Sequence, residues 1–305
     1  MRKVTNWTPA QLPALDGKRY LITGGNSGIG LEASKILAEH GADIVIACRN
    51  PAKAEAAVRE IDAAGPGAVD SVALDLASLA SVRSASEEVH ERYDSLDGLV
   101  NNAGIMQTPE TRTEDGFELQ LGTNHLGHFL LSFLLFDLVE KAGGRITVVS
   151  SIAHKLGRMN FDDLMLEESY DPTRAYGQSK LANLLFAQEL SRRLEAAGSA
   201  VTANACHPGY SNTNLQSTGP EGLLVGVYGV LNRVWAQSSC KGAIPTVLAV
   251  AGEEAESGGY YGPVRFMDSL GPVGNARIAG RARKTDDAAE LWRRSEELVG
   301  VTWNP

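Results

Sequence analysis

"RYLITGGNSGIGLEASKILAEHGADIVIACRN", residues 19–50, holds a complete strand–turn–helix–strand unit. The short run Arg19–Thr23 stops at a cluster of glycines, apolar residues at helical spacing follow over about 28–40, and a second apolar run closes the unit at Asp43–Cys48. Gly24, Gly28 and Gly30 lie in the turn and at the helix start, with Asn26, Ser27 and Ile29 among them. Glycine there lets the backbone take positive φ and approach an anion closely, and the unpaired N–H groups of the helix N-terminus receive that anion. A glycine triplet alone is equally a tight βα turn. The strand before it, the helix after it and the closing strand supply the context of a dinucleotide pyrophosphate site.

The same alternation continues along the chain. Further strand-like runs lie at Val69–Leu74, Gly98–Asn101, Arg145–Ser150, Val201–Cys206 and near Tyr260–Phe266. Helical periodicity occupies about 51–63, 78–93, 114–141, 174–197, 239–252 and 286–298. This predicts an α/β fold: one doubly wound Rossmann-type domain, with a mostly parallel sheet of about seven strands and helices on both faces. Neither a repeat nor a Pro/Ser-rich linker divides the chain, so residues 1–305 read as one domain. One long interruption, about 210–240, carries Leu223, Leu224, Val227, Tyr228, Leu231 and Trp235. Its length and apolar content suit a substrate loop or lid, and equally an amphipathic subunit contact.

The end of the second strand selects between dinucleotides. NAD sites place a carboxylate there, about 20 residues beyond the turn, for the ribose 2′-hydroxyl. Here Cys48 is followed by Arg49 and Asn50, with Lys53 beyond. The planar fork of an arginine suits a 2′-phosphate, so NADP(H) is expected in preference to NAD(H).

A formal net charge of −9 argues against a nucleic-acid partner, which needs a basic footprint. The three cysteines, Cys48, Cys206 and Cys240, have neither disulfide-framework nor zinc-ligand spacing, and fit reduced cytoplasmic thiols. The opening residues lack a continuous apolar core, and "HFLLSFLLFDLV" (128–139) and "GLLVGVYGVL" (222–231) are too short to span a bilayer. The expectation is a soluble cytoplasmic protein with no metal and no membrane anchor.

Beyond the first unit, "LDL" (74–76), "NNAG" (101–104), "TNHLGHFLL" (123–131), "VVSS" (148–151), "YGQSK" (176–180) and "HPG" (207–209) follow in order. With "TGGNSGIG" (23–30), they make the chain resemble the short-chain dehydrogenase/reductase family. "ACRN", "NHLGHFLL" and "SSIAHKLG" are similar to its retinol-dehydrogenase-like branch and bacterial relatives of that branch. The resemblance implies that Asp75 and Leu76 line the adenine, that Asn102, Ala103 and Gly104 flank the middle of the cofactor with Asn101 bracing the sheet, and that Pro208, Gly209 and Thr213 hold the nicotinamide end. It implies Asn124, Ser151, Tyr176 and Lys180 as the catalytic four, with Tyr176 and Lys180 also at the cofactor. It further implies a homodimer or homotetramer paired through the helices at 114–141 and 174–197. "HPGYSNT" departs from the pattern, with Ser211 where many members have Val or Ile.

The residue types agree with carbonyl–alcohol chemistry. Tyr176 and Lys180, four positions apart on a helix, share a face. A phenol with an ordinary pKa of about 10 needs roughly 3–4 kcal/mol of phenolate stabilisation to work near neutral pH, and an adjacent ammonium supplies such stabilisation in a partly dry site. Ser151 ends a strand where ligands of open α/β sheets bind. Alternation leaves Ser150 as its rival; the resemblance favours Ser151. Asn124 reads either as a water-positioning catalytic amide or as a core amide bonded to backbone. His125, His128 and His207 read as packed structural histidines. The reading is an NADP(H)-dependent oxidoreductase acting on a lipophilic aldehyde or ketone. The alternatives are a catalytically silent NADP-binding regulator on the same fold, and a nucleotide-sugar epimerase or dehydratase, for which the residues after about 210 leave little room.

Overall fold

In the computed structural model, which describes residues 2–209 and 238–305, the central strands are apolar along nearly their whole length. β1 (Arg19–Thr23), β2 (Asp43–Cys48) and β5 (Arg145–Val149) each bury every residue after the first. Strands buried on both faces belong to a parallel sheet covered by helices. With β3 (Val69–Ala73), β4 (Gly98–Asn101), β6 (Thr202–Cys206), β7 (Tyr260–Arg265) and β8 (Leu270–Asn275), they form one eight-stranded sheet ordered β3-β2-β1-β4-β5-β6-β7-β8. All pairings are parallel except β7 with β8. The hairpin strand β8 is the addition to the seven read from sequence. Winding runs outward from β1 in both directions, so the crevice where ligands bind such sheets opens between the carboxyl ends of β1 and β4.

Helices fill both faces. α1 (Gly28–Glu39) and α2 (Pro51–Asp62) follow β1 and β2, and α3 (Leu79–Arg92) follows β3. The periodic stretch expected as one helix over 114–141 is broken into α4 (Leu119–Leu121), a π-helical turn over Gly122–Leu126, α5 (Gly127–Leu134) and α6 (Phe136–Ala142). Residues 120–132 are buried without a break, so no one-sided stripe exists there whose phase shift would reveal the π turn. α7 (Pro172–Ala197) starts on the cap of Asp171, which accepts from the Arg174 N–H, and stops at left-handed Gly198. α8 (Ser239–Ala251) packs against α1, and α9 (Thr285–Val299) against α7.

Two apolar layers result. Ile22, Leu37, Ile46 and Val247 belong to the layer under α1 and α8, and Phe129, Phe186 and Trp292 to the opposite one. There α9 and Trp303 close an aromatic cap: Trp292 stands 4.9 Å from Trp303, 5.1 Å from Phe129 and 5.9 Å from Phe186. Residues 177–187 of α7 are consecutively buried, which leaves no side of that stretch facing solvent. The C-terminal helix α9 packs against α7, with Trp292 5.9 Å from Phe186.

Among the described residues no helix is long and apolar enough to cross a membrane. The segment 210–240 read as a loop or lid lies outside the described residues up to 237, as do Ser211 and Thr213.

Candidate active site

The glycine turn stands at the carboxyl end of β1. Gly24 holds φ at +66°, and a Cβ on Gly30 would lie 2.5 Å from the Gly24 carbonyl oxygen and 2.6 Å from Asn102 Nδ2. Only glycine permits that turn and that approach. Asn26, Ser27 and Ile29 are half-buried along the same turn. Ser27 occupies the N-cap of α1 yet its side chain makes no cap bond, and no acidic residue lies in the first turn. The helix end therefore presents N–H donors and positive dipole with no internal carboxylate competing for them.

The "NNAG" segment is bolted to the turn through Thr23, whose Oγ1 accepts the N–H groups of Asn102 and Ala103, both at 2.9 Å. Asn102 Nδ2 donates to the Thr23 carbonyl at 2.7 Å, and Asn101 braces the sheet by donating to Ser132 Oγ at 2.8 Å. A Cβ on Gly104 would sit 3.1 Å from Asn124 Oδ1 and 3.4 Å from Lys180 Nζ, so this residue keeps the backbone close to both side chains.

At the far end of the groove, Arg49 is 77% exposed in its side chain and its Nη1 lies 3.7 Å from Asp75 Oδ2. Asn50 Oδ1 caps α2 by accepting the Lys53 N–H at 3.0 Å; its side chain is thus committed to the helix, and Arg49 is the exposed guanidinium at this rim. Asp75 Oδ1 accepts the Ala77 N–H at 3.0 Å and Leu76 is buried beside it.

The catalytic candidates converge from three elements. Lys180 is 3% exposed; its Nζ donates to the Val149 carbonyl at 3.2 Å and lies 5.9 Å from the centre of the half-buried Tyr176 ring. Burial lowers the Lys180 pKa to about 8. The two serines differ in their surroundings. Ser150 is buried and its hydroxyl donates to the Lys180 carbonyl at 2.7 Å, which anchors α7 to β5. Ser151 is half-buried, and its hydroxyl accepts the Ala153 N–H at 3.2 Å. Its carbonyl accepts from His154 Nδ1 at 2.6 Å. Asn124 lies on the π turn, where its amide clasps Ile105 in both directions, accepting from the Ile105 N–H at 2.8 Å and donating to its carbonyl at 3.0 Å, and also donates to Ser179 Oγ at 2.9 Å. The amide is thus bonded to backbone, as one of the two sequence readings expects.

Pro208 and Gly209 follow β6, with Gly209 at φ +71° and its N–H donating to His207 Nδ1 at 3.2 Å. Burial drives the pKa of His207 down to about 3, which marks a packed neutral ring. Among the described residues no cluster of side chains suits a metal ion. Sequence reasoning missed Thr23, Ser179, His128 and His154 as parts of this site. The available signal was a polar residue closing an otherwise apolar strand, or recurring beside a motif residue.

A family model for short chain dehydrogenases matches residues 18–222. The chain belongs to the short-chain dehydrogenase family. This is a family of oxidoreductases that bind a nicotinamide dinucleotide, and the retinol-dehydrogenase-like resemblance holds. Human retinol dehydrogenase 13 is 42% identical over 294 residues, covering 94% of this chain and 86% of its own. A solved structure of an uncharacterised protein from Mycobacterium paratuberculosis superposes with a TM-score of 0.81 at 40% identity, covering 99% of this chain and 100% of the other. A short chain dehydrogenase from Burkholderia cenocepacia, solved in complex with NADP, gives 0.64 at 26% identity, covering 89% and 100%.

Proposed function

We propose that the protein is an NADP(H)-dependent oxidoreductase that interconverts a carbonyl and an alcohol, with Tyr176 as general acid and base. The observation that carries this reading is the buried ammonium of Lys180 beside the Tyr176 ring, on the same sheet edge as the glycine turn. The turn, with its free helix N-terminus and absent Cβ atoms, fits a pyrophosphate. Gly24, Asn26, Ser27, Gly28, Ile29 and Gly30 would hold it, and Asn102, Ala103 and Gly104 the part beyond. When bound, the dinucleotide supplies or accepts the hydride.

The chain's own residues handle the oxygen and its proton. Ser151 holds the substrate oxygen and stabilises the alkoxide as charge develops. Tyr176 gives that oxygen a proton in reduction and removes one in oxidation. Lys180, held by the Val149 carbonyl, stabilises the phenolate. Asn124 acts as a positioning residue through Ile105 and Ser179. The preference for NADP(H) rests on Arg49, exposed at the end of β2 where an NAD site would carry a carboxylate; Asp75, Leu76, Pro208, Gly209 and Thr213 complete the cofactor set.

A lipophilic aldehyde or ketone is the substrate class, supported by the apolar residues of 210–240 and by a relative named for retinol, an apolar alcohol. A cytoplasmic setting is supported by three free cysteines. A homodimer or homotetramer would pair through surfaces other than 177–187 of α7, which are buried within the subunit.

The test is titration with NADPH and NADH, followed by turnover of lipophilic aldehydes and ketones. Wild type should favour NADPH, and Tyr176→Phe should bind NADPH normally while losing turnover by about 10²–10⁴-fold. Undiminished turnover in Tyr176→Phe would remove Tyr176 as the acid and base, whereas NADPH binding without carbonyl turnover, equal in wild type and Tyr176→Phe, would overturn the reading and leave the silent regulator in its place.

A further inference from the structure

His128 sits at the junction of the cofactor turn and the catalytic helix, and the mechanism above gives it no role. It lies on α5 and is 1% exposed. Its Nδ1 is 2.9 Å from the Asn124 carbonyl oxygen and its Nε2 is 2.8 Å from Thr23 Oγ1. A carbonyl only accepts, so Nδ1 carries the proton. Burial, with a smaller push from the Lys180 charge, lowers the pKa of the ring to about 4, so it is neutral and Nε2 is bare. The Thr23 hydroxyl therefore donates to Nε2, which leaves the lone pairs of Oγ1 to the two N–H groups of Asn102 and Ala103. His128 thus holds the main-chain carbonyl of Asn124, and the side-chain amide of the same residue separately donates to the Ile105 carbonyl and to Ser179 Oγ, one residue before Lys180.

We propose that His128 is a positioning residue whose ring bridges the Thr23 hydroxyl to the Asn124 main chain and thereby ties the dinucleotide-binding turn to the residue whose side chain reaches Ser179, next to Lys180. Turned the other way, with its proton on Nε2, the ring would face the Asn124 carbonyl with a bare Nδ1, and the Thr23 hydroxyl would turn to the Val100 carbonyl, 3.3 Å away. The other buried histidine of this run provides the contrast. His125 Nε2 lies 2.8 Å from Ser295 Oγ, whose own proton goes to the Leu291 carbonyl, so His125 carries its proton on Nε2 and points into the aromatic cap.

The inference deepens the oxidoreductase reading and rests on it for turnover. His128→Phe keeps a ring of similar size and removes both bonds; His125→Phe is the control. In folded His128→Phe the NADPH dissociation constant should rise roughly tenfold, about the worth of one or two hydrogen bonds, and turnover should fall at least in parallel. His125→Phe should stay within about twofold of wild type on both. Wild-type NADPH affinity in His128→Phe, or equal losses in the two variants, would overturn the proposal. Nitrogen NMR of the wild-type imidazoles decides it when His128→Phe does not fold: a proton on Nδ1 of His128 and on Nε2 of His125 supports it, and one on Nε2 of His128 overturns it. Wild type that binds NADPH but reduces no carbonyl defeats the oxidoreductase reading alone, and the affinity and tautomer measurements then still decide the role of His128.

Discussion

The carboxyl edge of the sheet and the flank under α9 share the helix α7 and are built on opposite principles. At the edge α7 offers Tyr176 and Lys180 to a polar groove, where a buried ammonium has its pKa pushed down to about 8 and the π turn interrupts the regular helix beside it. Along the flank the same helix offers Phe186 to Trp292 and Trp303, with Arg193 stacked 4.3 Å from the Trp292 ring. The flank gains stability by excluding water, whereas the edge gives up stability to hold a charge where it is chemically useful.

The contrast breaks most severely at Trp292, which is 2% exposed. Trp292→Ala removes the centre of the aromatic cap and should destabilise the protein by about 3–5 kcal/mol, read from urea unfolding. NADPH affinity of the folded fraction should hold, because the edge takes its geometry from β1, β4 and β5. A matching loss of affinity would show that the two regions are not separable.

Lys180 sharpens the comparison from the other side, with a smaller effect of opposite sign. Its folded pKa lies below the unfolded value, so at neutral pH the folded protein bears the cost of a buried charge. Lys180→Met removes that cost, and the Val149 carbonyl keeps the Asn183 amide as a donor at 3.1 Å. Stability should rise by about 1–3 kcal/mol while turnover collapses. A less stable Lys180→Met would mean that the ammonium is a structural asset and not a functional cost.

How far each region was legible in the sequence follows from the range of its interactions. The glycine turn, "NNAG" and the Tyr176–Lys180 pair are written in local spacing, and the structure brings them to one edge. The flank was not legible. α9 covers α7 from a hundred residues away in sequence, and an apolar face reads the same whether a partner subunit or the chain itself buries it. The strand β8 escaped because "LGPVGN" carries two glycines and a proline, a composition that favours turns over strands. Ser150 and Ser151 were inseparable by alternation; in the fold Ser150 is buried and bonded to the Lys180 carbonyl, whereas Ser151 is half-buried. Likewise, "NHLGH" holds two histidines with no hint that one faces the aromatic cap and the other the cofactor turn.

Acid tests whether the flank is as dry as this contrast requires. Burial lowers the pKa of His125 to about 3, so the folded protein keeps it neutral while the unfolded chain takes up a proton near 6.5. Its contribution to stability is therefore complete above the unfolded value and is lost as pH falls toward the folded one, at up to about 1.4 kcal/mol per pH unit. His128 and His207, with values near 4 and 3, add to the same slope from the edge. His125→Phe should leave stability at pH 7 unchanged or slightly raised, since Nδ1 of His125 has no hydrogen-bond partner among the described residues and Ser295 keeps its bond to the Leu291 carbonyl. Between pH 6 and 5 the variant should lose stability less steeply than wild type, by one proton's worth. Identical slopes from urea melts would mean that His125 takes up its proton in the folded protein. Water would then reach the aromatic cap, and the division between a dry flank and a polar edge would fail where it looks cleanest.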